Sequence, residues 1–391
     1  MQLPIYKLHP KSAFHFGERG VGLERTAVVF HSDSLFSAIV CAWRGLGMPV
    51  SSDGTMPLLA PFATALKCPL FLSSAFPFAF DILFLPRPLN REGKGPKSFA
   101  EFVSLAVFQE IVQGRESRDQ WHAVQGGEAL VTTDEALFLL RRLKGQRKRP
   151  QRLTESEFFS LRQEEIVALR TNQKKELLQR FNTRQLELWA SGEDTRVPRA
   201  AVDRISSAST LYFCGRLHFA QGCGLYFWAD IRQDGYDEHL LSALDFLSEE
   251  GIGGERTTHG RFELECATAE LPEAKTQNGD ETMFLTLSLY HPTKEEVCNQ
   301  KVLVEGCYDI IERRGWVYSP DGLGFRHKGI RMFLEGSIFF SPILGDISEV
   351  QPDRFPHPIY RYGFAFPPHG LKVNLSDELS KQEGELFEPR E

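Results

Sequence analysis

The sequence predicts an α+β protein in which two strand-and-helix units are separated by a helical segment. Three observations lead to this prediction. Residues 1–97 carry a strand pattern, an amphipathic helix and two aromatic-rich strands, in that order. Residues 98–196 change to helical periodicity with many charges, and residues 197–391 return to strands and one leucine-bearing helix. At about 150 residues per domain, a chain of 391 residues has room for two to three domains.

The first unit opens with strand patterns within residues 3–16. Ser32 or Asp33 is suited to cap the next helix, because short polar side chains accept hydrogen bonds from the free N–H groups at a helix start. That helix, over residues 34–44, places its apolar side chains on one face. Two strands follow within residues 71–86. The order strand, helix, strand, strand is the opening half of a ferredoxin-like or RNA-recognition-type fold.

The middle segment, residues 98–196, is predicted to be a helical, charged insertion. Its amphipathic stretches include residues 99–112 and 155–189. Residues 141–152 hold seven lysines and arginines with no acidic residue among them. This density of positive charge is suited to follow a phosphate backbone, and it is equally typical of a solvated surface loop.

Residues 197–391 are predicted to form a β-hairpin and a second ferredoxin-like domain. From residue 209 apolar and polar residues alternate, which predicts a strand with one buried face. The side expected to be buried consists of Leu211, Phe213, Leu217 and Phe219. A return strand, a leucine-bearing helix over 237–249 and further strands follow. The second unit thus resembles the first in element order, although no residue-level repeat survives.

Residues 251–262 form a glycine-rich loop that also carries two arginines and two threonines. Glycine permits close approach to the backbone and arginine binds phosphate, so the loop is suited to an anionic ligand. It follows a helix, which Gly251 is expected to end. A mononucleotide P-loop instead precedes a helix and needs Gly-Lys-Ser/Thr, and the dinucleotide fingerprint needs glycine where Arg256 stands. A polyanion lying across the loop fits better than either nucleotide, and an ordinary glycine-rich turn is the alternative.

Composition narrows the partners and the location. The formal net charge of −7 argues against a generally basic nucleic-acid binder, so positive charge must be segregated on the surface. No run approaches the roughly 18 apolar residues of a membrane span, and no signal-peptide pattern opens the chain. We therefore expect a cytoplasmic protein with no membrane partner. The seven cysteines include no Cys-x-x-Cys pair and no residue cluster has ligand spacing, so no disulfide framework, metal site or cofactor is expected.

Phenylalanine is abundant, with 31 residues that include the run from Phe76 to Phe84 and the pair Phe364 and Phe366. Two small domains with an intervening insertion are not expected to bury so many rings. Some of these side chains are therefore expected to face protein partners. Tyr362 and its neighbour at position 360 are expected to be core or interface aromatics rather than base-stacking residues.

Motifs along nearly the whole chain match one known family. They are Phe14-His15-Phe16-Gly17, residues 31–38, residues 73–77, Pro198-Arg199 with Asp203-Arg204, the glycine loop, and residues 360–365. In this order they resemble the repeat-associated (RAMP) subunit that caps the CRISPR RNA in type III-A CRISPR effector complexes, the fourth subunit of the Csm complex. Residues 98–196 are longer and more charged than expected of that family, so no residue-specific role is carried onto them.

The resemblance implies a non-catalytic RNA-binding subunit with two ferredoxin-like (RRM-like) domains and a protruding β-hairpin. Such a subunit binds the repeat-derived 5′ tag of the CRISPR RNA (crRNA). It bridges the large polymerase-like signature subunit to the first backbone RAMP subunit, and it meets target RNA only indirectly. The residues placed on the family's RNA-binding motifs are His15, Gly17, Arg25, His31, Ser32, Ser34, Arg199, Arg204, Ser206, Ser209, Gly251, Gly253, Gly254, Arg256, Thr257, Thr258 and Arg261. A cap or a surface salt bridge is the alternative role for each.

A nuclease is the alternative function. Related RAMP proteins include metal-independent endoribonucleases that process CRISPR repeat RNA with histidine and tyrosine as general acid and base. His15 and His31 are the candidates for those roles here. Histidines in an RNA-binding cleft need no catalytic role, however, and the family that the motifs resemble is a scaffold. We therefore expect no catalytic residue.

Overall fold

The structure is a computed structural model. It describes residues 1–17, 25–52, 54–89, 100–114, 120–143, 169–179, 181–191, 195–202, 209–254, 259–273, 282–298, 306–317, 325–353 and 355–373. The α-helices of this part are α1 (Ser32–Gly45), α2 (Leu105–Val112), α3 (Thr133–Arg142), α4 (Thr171–Gln179), α5 (Tyr236–Glu250) and α6 (Lys294–Cys298). Short 3-10 helices span Pro57–Ala63, Ala65–Lys67, Gln125–Gly127 and Thr183–Gln185.

Its strands are β1 (Gln2–Pro10), β2 (Leu70–Leu72), β3 (Phe76–Ala79), β4 (Ile82–Pro86), β5 (Phe102–Ser104), β6 (Trp121–Val124), β7 (Ala129–Thr132), β8 (Trp189–Ala190), β9 (Val197–Val202), β10 (Ser209–Cys214), β11 (His218–Phe219), β12 (Cys223–Ile231), β13 (Phe262–Glu270), β14 (Met283–Leu285), β15 (Ile310–Arg313), β16 (Ile330–Phe333), β17 (Ile338–Phe339), β18 (Ile343–Glu349), β19 (Tyr360–His369) and β20 (Leu371–Val373). Among all these elements, no helix is both long enough and apolar enough to cross a membrane.

The main sheet has the strand order β13-β1-β12-β3-β4-β5-β7-β6, and β2 pairs with the second half of β12. Neighbouring strands are antiparallel except β5 and β7. Strand β1 lies between two long partners, so that Leu8 is opposite both Leu225 and Leu264. The chain order β1, α1, β3, β12, α5, β13, with the spatial order β13-β1-β12-β3, is the βαββαβ arrangement of a ferredoxin-like fold.

The second unit, which consists of β12, α5 and β13, therefore completes the sheet that the first unit begins. The sequence pattern identified the return strand, the leucine-bearing helix and the strand after the glycine loop, but assigned them to a domain that begins at residue 197. Backbone hydrogen bonds from β1 to β12 and β13 cross that boundary. Element order carries no information on which strands pair, and Leu8 and Leu225 are more than 200 positions apart. The sequence alone could not predict this pairing.

Helices α1 and α5 pack against each other and against the core of the sheet. Their apolar stripes are buried as the periodicity predicts, and they include Leu35, Phe36, Ile39 and Trp43 in α1 and Leu240, Leu244 and Leu247 in α5. The indole N–H of Trp43 donates to the carbonyl oxygen of His239 at 2.8 Å, which ties α1 to α5.

The start of α1 differs from the prediction. The helix begins at Ser32, and His31 occupies the N-cap position without a side-chain capping bond. The prediction that Ser32 or Asp33 caps the helix is therefore wrong. Both residues lie in the first turn, and their side chains bond to residues far away in the sequence, which no local capping pattern indicates.

Residues 98–196 are not a purely helical insertion. Strands β5, β7 and β6 extend the main sheet beyond β4, and helices α2 and α3 follow β5 and β7. A short apolar run does not distinguish a strand from a buried helix, and this is why the sequence pattern misassigned β5. Of the predicted basic run, Arg141 and Arg142 end α3. Residues 144–152 lie outside the described residues.

The strands between residues 282 and 373 form three small antiparallel ladders in the described part: β17-β14-β20, β15-β16 and β18-β19. They pack directly on the main core. The hydroxyl oxygen of Tyr362 accepts a hydrogen bond from the N–H of Leu72 at 2.9 Å, and Phe364 lies edge-on to Phe71. Tyr362 is fully buried, which confirms it as a core aromatic. A second ferredoxin-like sheet stays a prediction.

The phenylalanine runs belong to the core. Phe76, Phe78, Phe84, Phe364 and Phe366 are all fully buried, whereas Phe80 is half-buried. The nine-stranded sheet buries more of these rings than the sequence analysis allowed for, and the expectation that some phenylalanines face protein partners stays a prediction. Among the described phenylalanines, Phe213 and Phe325 are the ones that are largely exposed.

Candidate nucleic-acid interface

An open cleft of about 1320 Å³ lies between the segment after β1, the start of α1, the glycine loop and the ribbon that contains β15 and β16. It brings together seven of the predicted RNA-binding residues. These are His15, Gly17, Arg25, His31, Ser34, Gly253 and Gly254. Their positions lie on both sides of residues 98–196, so the fold, and not sequence proximity, assembles them.

One wall of the cleft is built around His15. This side chain is buried, and its Nδ1–H donates to the carbonyl oxygen of Gly215 at 2.8 Å. Because a carbonyl oxygen only accepts, Nδ1 carries a proton and Nε2 is the atom left for a further contact. The N–H of Phe16 donates to the hydroxyl of Thr26 at 2.8 Å, which holds the exposed Arg25 beside Gly17.

The glycine loop packs on this wall. The N–H of Gly254 donates to the carbonyl oxygen of His15 at 2.8 Å. Gly253 has φ +84°, and a Cβ atom there would lie 2.4 Å from the same oxygen. A Cβ atom at Gly254 would lie 2.7 Å from the His15 ring. These glycines therefore permit close approach of the loop to the protein's own backbone, and their contact with RNA stays a prediction.

The ends of the loop are also fixed. Gly251 has φ +87° directly after α5, and its N–H donates to the carbonyl oxygen of Leu247, which confirms that it ends the helix. At the other end, the N–H of Gly260 donates to the carbonyl oxygen of Ala13 at 2.9 Å. Arg261 follows but does not line the cleft. The predicted contacts Arg256, Thr257 and Thr258 lie outside the described residues.

A buried ion cluster joins the start of α1 to the C-terminal ladders. Arg313 donates to both carboxylate oxygens of Asp33, at 2.8 and 3.1 Å, and Arg361 donates to one of them at 2.7 Å. Arg313 also donates to the hydroxyl of Ser34 at 2.8 Å. Burial alone would raise the pKa of Asp33, but the charges and hydrogen bonds of the two arginines outweigh burial. The pKa of Asp33 therefore lies well below its ordinary value. The hydroxyl of Ser34 is therefore already engaged by Arg313 within the protein.

A second buried cluster lies beside it. The Nδ1–H of His31 donates to the carboxylate of Glu335 at 2.8 Å, and the Ser74 hydroxyl donates to the same oxygen. Burial would raise the pKa of Glu335, but the charge and hydrogen bond of His31, together with Ser74, lower it. Ser32 is fully buried, and its hydroxyl accepts from the N–H of Leu289 at 3.0 Å. Ser32 thus joins the two halves of the chain and presents no surface to RNA.

A helix start is a common anion site because its first N–H groups are free, but at the start of α1 protein groups already pair with them. The N–H of Ser32 donates to the Ser74 hydroxyl at 2.8 Å, and the N–H groups of Ser34 and Leu35 donate to the carbonyl oxygen of His31. Backbone N–H groups that are paired in this way do not bind a phosphate. The helix dipole is instead offset by the buried Asp33 in the first turn.

The cleft also contains cations that the sequence analysis missed. They are Arg196, Arg313, Arg314, Arg326 and Arg361. Trp316 lies among them with 60% of its surface exposed, and the Arg326 guanidinium is 4.5 Å from its ring centre. The signal that could have identified them is the pattern Arg313-Arg314-Gly315-Trp316 followed by Phe325-Arg326, with cations and aromatics interleaved in two short segments. The motifs of the resemblance do not include these segments.

Charge is concentrated in this cleft. Six arginines line it, including Arg25, against three glutamates, in a chain whose formal net charge is −7. Arg313 and Arg361 share the single carboxylate of Asp33, and Arg314 pairs with Glu312. With Asp33 included, six positive side chains stand against four negative ones, so the cleft keeps a positive surplus inside an acidic protein. Segregated positive charge of this kind raises the local concentration of polyanions.

The predicted β-hairpin is present, with β9 and β10 paired so that Arg199 is opposite Tyr212. Arg199 and Ser209 do not line the cleft, and Arg204 and Ser206 lie outside the described residues. The predicted buried face is only partly buried. Leu217 is inaccessible, but Leu211 and Phe213 are 65% and 41% exposed. In the described part of the chain β9 and β10 form a two-stranded ladder outside the main sheet, and period-two alternation did not mark a buried face here.

The cleft contains both histidines that the nuclease alternative requires. His15 and His31 both line it, each with Nδ1 held by a protein oxygen, but no tyrosine does so among the described residues. In the same part of the chain, no group of three or more His, Cys, Asp or Glu side chains is arranged to hold a metal ion.

Comparisons with known proteins show which proteins this chain is similar to. Residues 279–368 match the model of the CRISPR Csm4 C-terminal domain. The chain is 23% identical over 383 residues to the CRISPR system Cms protein Csm4 of Methanocaldococcus jannaschii, covering 90% of each. It is 24% identical over 349 residues to the protein of that name from Thermococcus onnurineus, covering 89% of this chain and 93% of the relative.

Solved structures share the fold. A chain of the crystal structure of the Csm3-Csm4 subcomplex in the type III-A CRISPR-Cas interference complex superimposes with a TM-score of 0.57 at 18% identity. The match covers 96% of this chain and 100% of that one. A chain of the Csm1-Csm4 cassette in complex with cA4 gives a TM-score of 0.50 at 19% identity, covering 96% and 99%. These matches confirm the resemblance to the fourth Csm subunit that the sequence motifs carry.

Proposed function

We propose that this chain, as a Csm4-type RAMP subunit, binds the repeat-derived 5′ tag of the crRNA in the arginine-lined cleft of a type III-A CRISPR interference complex. The observation that carries the proposal is that the fold brings distant motif residues together. Seven residues placed on the family's RNA-binding motifs line one cleft, although they come from positions 15 to 254 of the chain. The surplus of arginine over acidic side chains in that cleft supplies positive charge for a phosphate backbone.

The described residues suggest how the RNA lies. Arg25 and Arg314 are exposed and stand in different elements that line the cleft, so each can contact a phosphate of a strand that lies in it. Arg314 also pairs with Glu312, and its remaining N–H groups would make the phosphate contact. The glycine loop contributes Gly253 and Gly254 on the His15 wall, and the predicted contacts Arg256 to Thr258 continue from it. Because RNA-binding proteins read unpaired bases by stacking and hydrogen bonds, the tag is expected to bind as a single strand.

The remaining contacts of the resemblance belong to the same proposal. Arg199 and Ser209 would act from the β-hairpin, whose strand β9 directly follows the cleft residue Arg196. Arg204 and Ser206, which lie outside the described residues, stay part of the proposed set. Ser32 is withdrawn from the set because it is fully buried. Residues 279–368, which match the Csm4 C-terminal domain, would supply the second ferredoxin-like domain.

The partners follow from the relatives. Solved structures pair Csm4 with Csm1 and with Csm3, so we propose that this chain bridges the counterparts of that large signature subunit and that backbone subunit in the cytoplasm. Target RNA would pair with the guide and touch this chain only indirectly. The chain itself would be non-catalytic, because its role in the assembly is to hold one end of the RNA.

The experiment that tests this function compares single arginine variants in RNA binding. Arg25→Ala and Arg314→Ala should each weaken binding of a tag-bearing single-stranded RNA about tenfold, since a charge-assisted contact contributes roughly 1.5 kcal/mol or more. Arg170→Ala removes an exposed arginine that does not line the cleft and serves as the matched control. Fluorescence anisotropy gives the affinities. If all three variants bind the RNA with equal affinity, the proposal that RNA binds in this cleft is refuted.

A further inference from the structure

The ribbon that includes β15 and β16 continues toward the cleft beyond its regular strands. The N–H of His327 donates to the carbonyl oxygen of Gly315 at 3.2 Å, and the N–H of Val317 donates to that of Phe325 at 2.8 Å. Between these bonds Trp316 is directly opposite Arg326. Directly paired residues on neighbouring strands present their side chains on the same face, so the indole and the guanidinium lie together.

We propose that Trp316, covered on one face by Arg326, is a stacking platform for one unpaired RNA base in the cleft. This inference rests on the proposed function and assigns the base contact that the phosphate-binding arginines do not supply. Stacking on an aromatic ring tolerates any base, because every base has a π-face. The platform would therefore add affinity and fix the path of the strand without reading its sequence.

Exposure distinguishes Trp316 from the other tryptophans. The chain has five, and Trp43, Trp121, Trp189 and Trp228 are at most 6% exposed, whereas Trp316 is 60% exposed. A single exposed apolar residue needs no explanation by itself. Trp316, however, lines a basic cleft, and the Arg326 guanidinium is 4.5 Å from its ring centre. A cation on one face leaves the opposite face of the ring for a ligand.

The platform is held rigidly. Arg313, three residues before Trp316, is anchored to the buried Asp33, and Val317 is buried directly after it. His327, which follows Arg326, contacts the Arg361 guanidinium at 3.0 Å. A stacking surface that is already fixed loses little conformational entropy when the base arrives, which favours binding.

The charges around the ring favour nucleic acid over a protein partner. Arg314 and Arg326 flank Trp316 in the cleft lining and both are exposed, and Arg314 also pairs with Glu312. The nearest exposed apolar side chain on the ribbon, Phe325, does not line the cleft and packs on Phe355. A protein-docking core is usually depleted of charge. Cations interleaved with one aromatic ring are the pattern of a single-strand binding groove.

The platform can be observed directly, because Trp316 is the exposed emitter among five tryptophans. The full-length chain is titrated with a tag-bearing single-stranded RNA and with the same RNA made abasic throughout. The normal RNA should quench the emission of the wild-type chain, and the abasic RNA should not. The variant Trp316→Phe should show no such quenching, because the responding ring is gone, while it keeps most of the affinity.

Affinity gives the second readout. Trp316→Ala should weaken binding of the normal RNA roughly 5- to 150-fold, the range for loss of one stacked base, and should bind the abasic RNA as wild type does. If wild type binds RNA and Trp316→Ala binds it equally well, the platform is refuted and the proposed function stands. If Trp316→Ala binds RNA normally but no longer co-purifies with the large subunit, Trp316 is a protein contact and the inference is wrong. If wild type binds no RNA, the proposed function itself fails.

Discussion

Replacing Asp33 with asparagine should destabilise this protein more than any exposed charge substitution. The substituted side chain would keep the shape of aspartate but would lack the negative charge that Arg313 and Arg361 share. It would also turn an amide N–H₂ group toward those two donors. Two buried guanidiniums would then lack a counter-ion. Leaving buried charges without their partner costs about 3–5 kcal/mol, so the free energy of unfolding should fall by that amount.

The matched control is an ion pair of similar length at the surface. Asp134 contacts Lys174 at 2.7 Å, but its side chain is 73% exposed. Asp134→Asn should therefore change the free energy of unfolding by at most about 1 kcal/mol. Urea unfolding followed by circular dichroism at neutral pH gives both values.

The stabilisation by Asp33 should change with pH in one direction. The folded-state pKa of Asp33 lies below its ordinary value of 3.8, so its contribution to stability is present above that pH and is lost as the pH falls toward the folded-state value. The difference between wild type and Asp33→Asn should therefore shrink between pH 7 and pH 3. A difference of less than 1 kcal/mol at pH 7, or one that grows on acidification, would refute the account of the buried cluster.

Three further predictions concern the loop, the basic run and catalysis. Gly253→Ala should lower the melting temperature of the protein without RNA, because φ is +84° and the new Cβ atom would clash with the His15 carbonyl oxygen. An unchanged melting temperature would show that this glycine has no structural role of its own. Neutralising Arg147, Lys148 and Arg149 should lower the slope of log affinity against log salt by up to about 0.7 per lost phosphate contact, and a changed preference between tag and scrambled RNA would show that this run reads sequence. Strains with His15→Ala or His31→Ala should contain guide RNA of normal length, and uncut precursor in the His31→Ala strain would favour the nuclease.

The sequence predicted what local periodicity determines. The apolar stripes of α1 and α5 and the helix end at Gly251 follow from spacing and from backbone preferences of glycine, and the structure confirms them. Pairing between distant strands leaves no local pattern, so the completion of the first sheet by β12 and β13 could not be predicted. The buried role of Ser32 was missed for the same reason, since Leu289 and Ser74 are its partners.

Some residues of the candidate site could be located from sequence motifs, and others only from the fold. Motif resemblance located His15, His31 and the glycine loop, and the fold brought them into one cleft. Trp316 and Arg326 of the C-terminal ribbon lie in segments where cations and aromatics interleave, but the fold was needed to show that they line the cleft. A cation next to an aromatic residue is common in any sequence, and only its position in the cleft gives it meaning.

The position of β1 in the sheet determines when this protein can fold during its synthesis. Both neighbours of β1 lie after residue 222, so the first strand leaves the ribosome long before β12 and β13 exist. At roughly 5–20 residues per second, β1 waits about 10 to 50 seconds for its partners. During that time its apolar residues must be kept from pairing with other chains. A nascent chain arrested before residue 223 should therefore be sensitive to protease over its first strand, whereas one extended past residue 270 and clear of the ribosome should protect it.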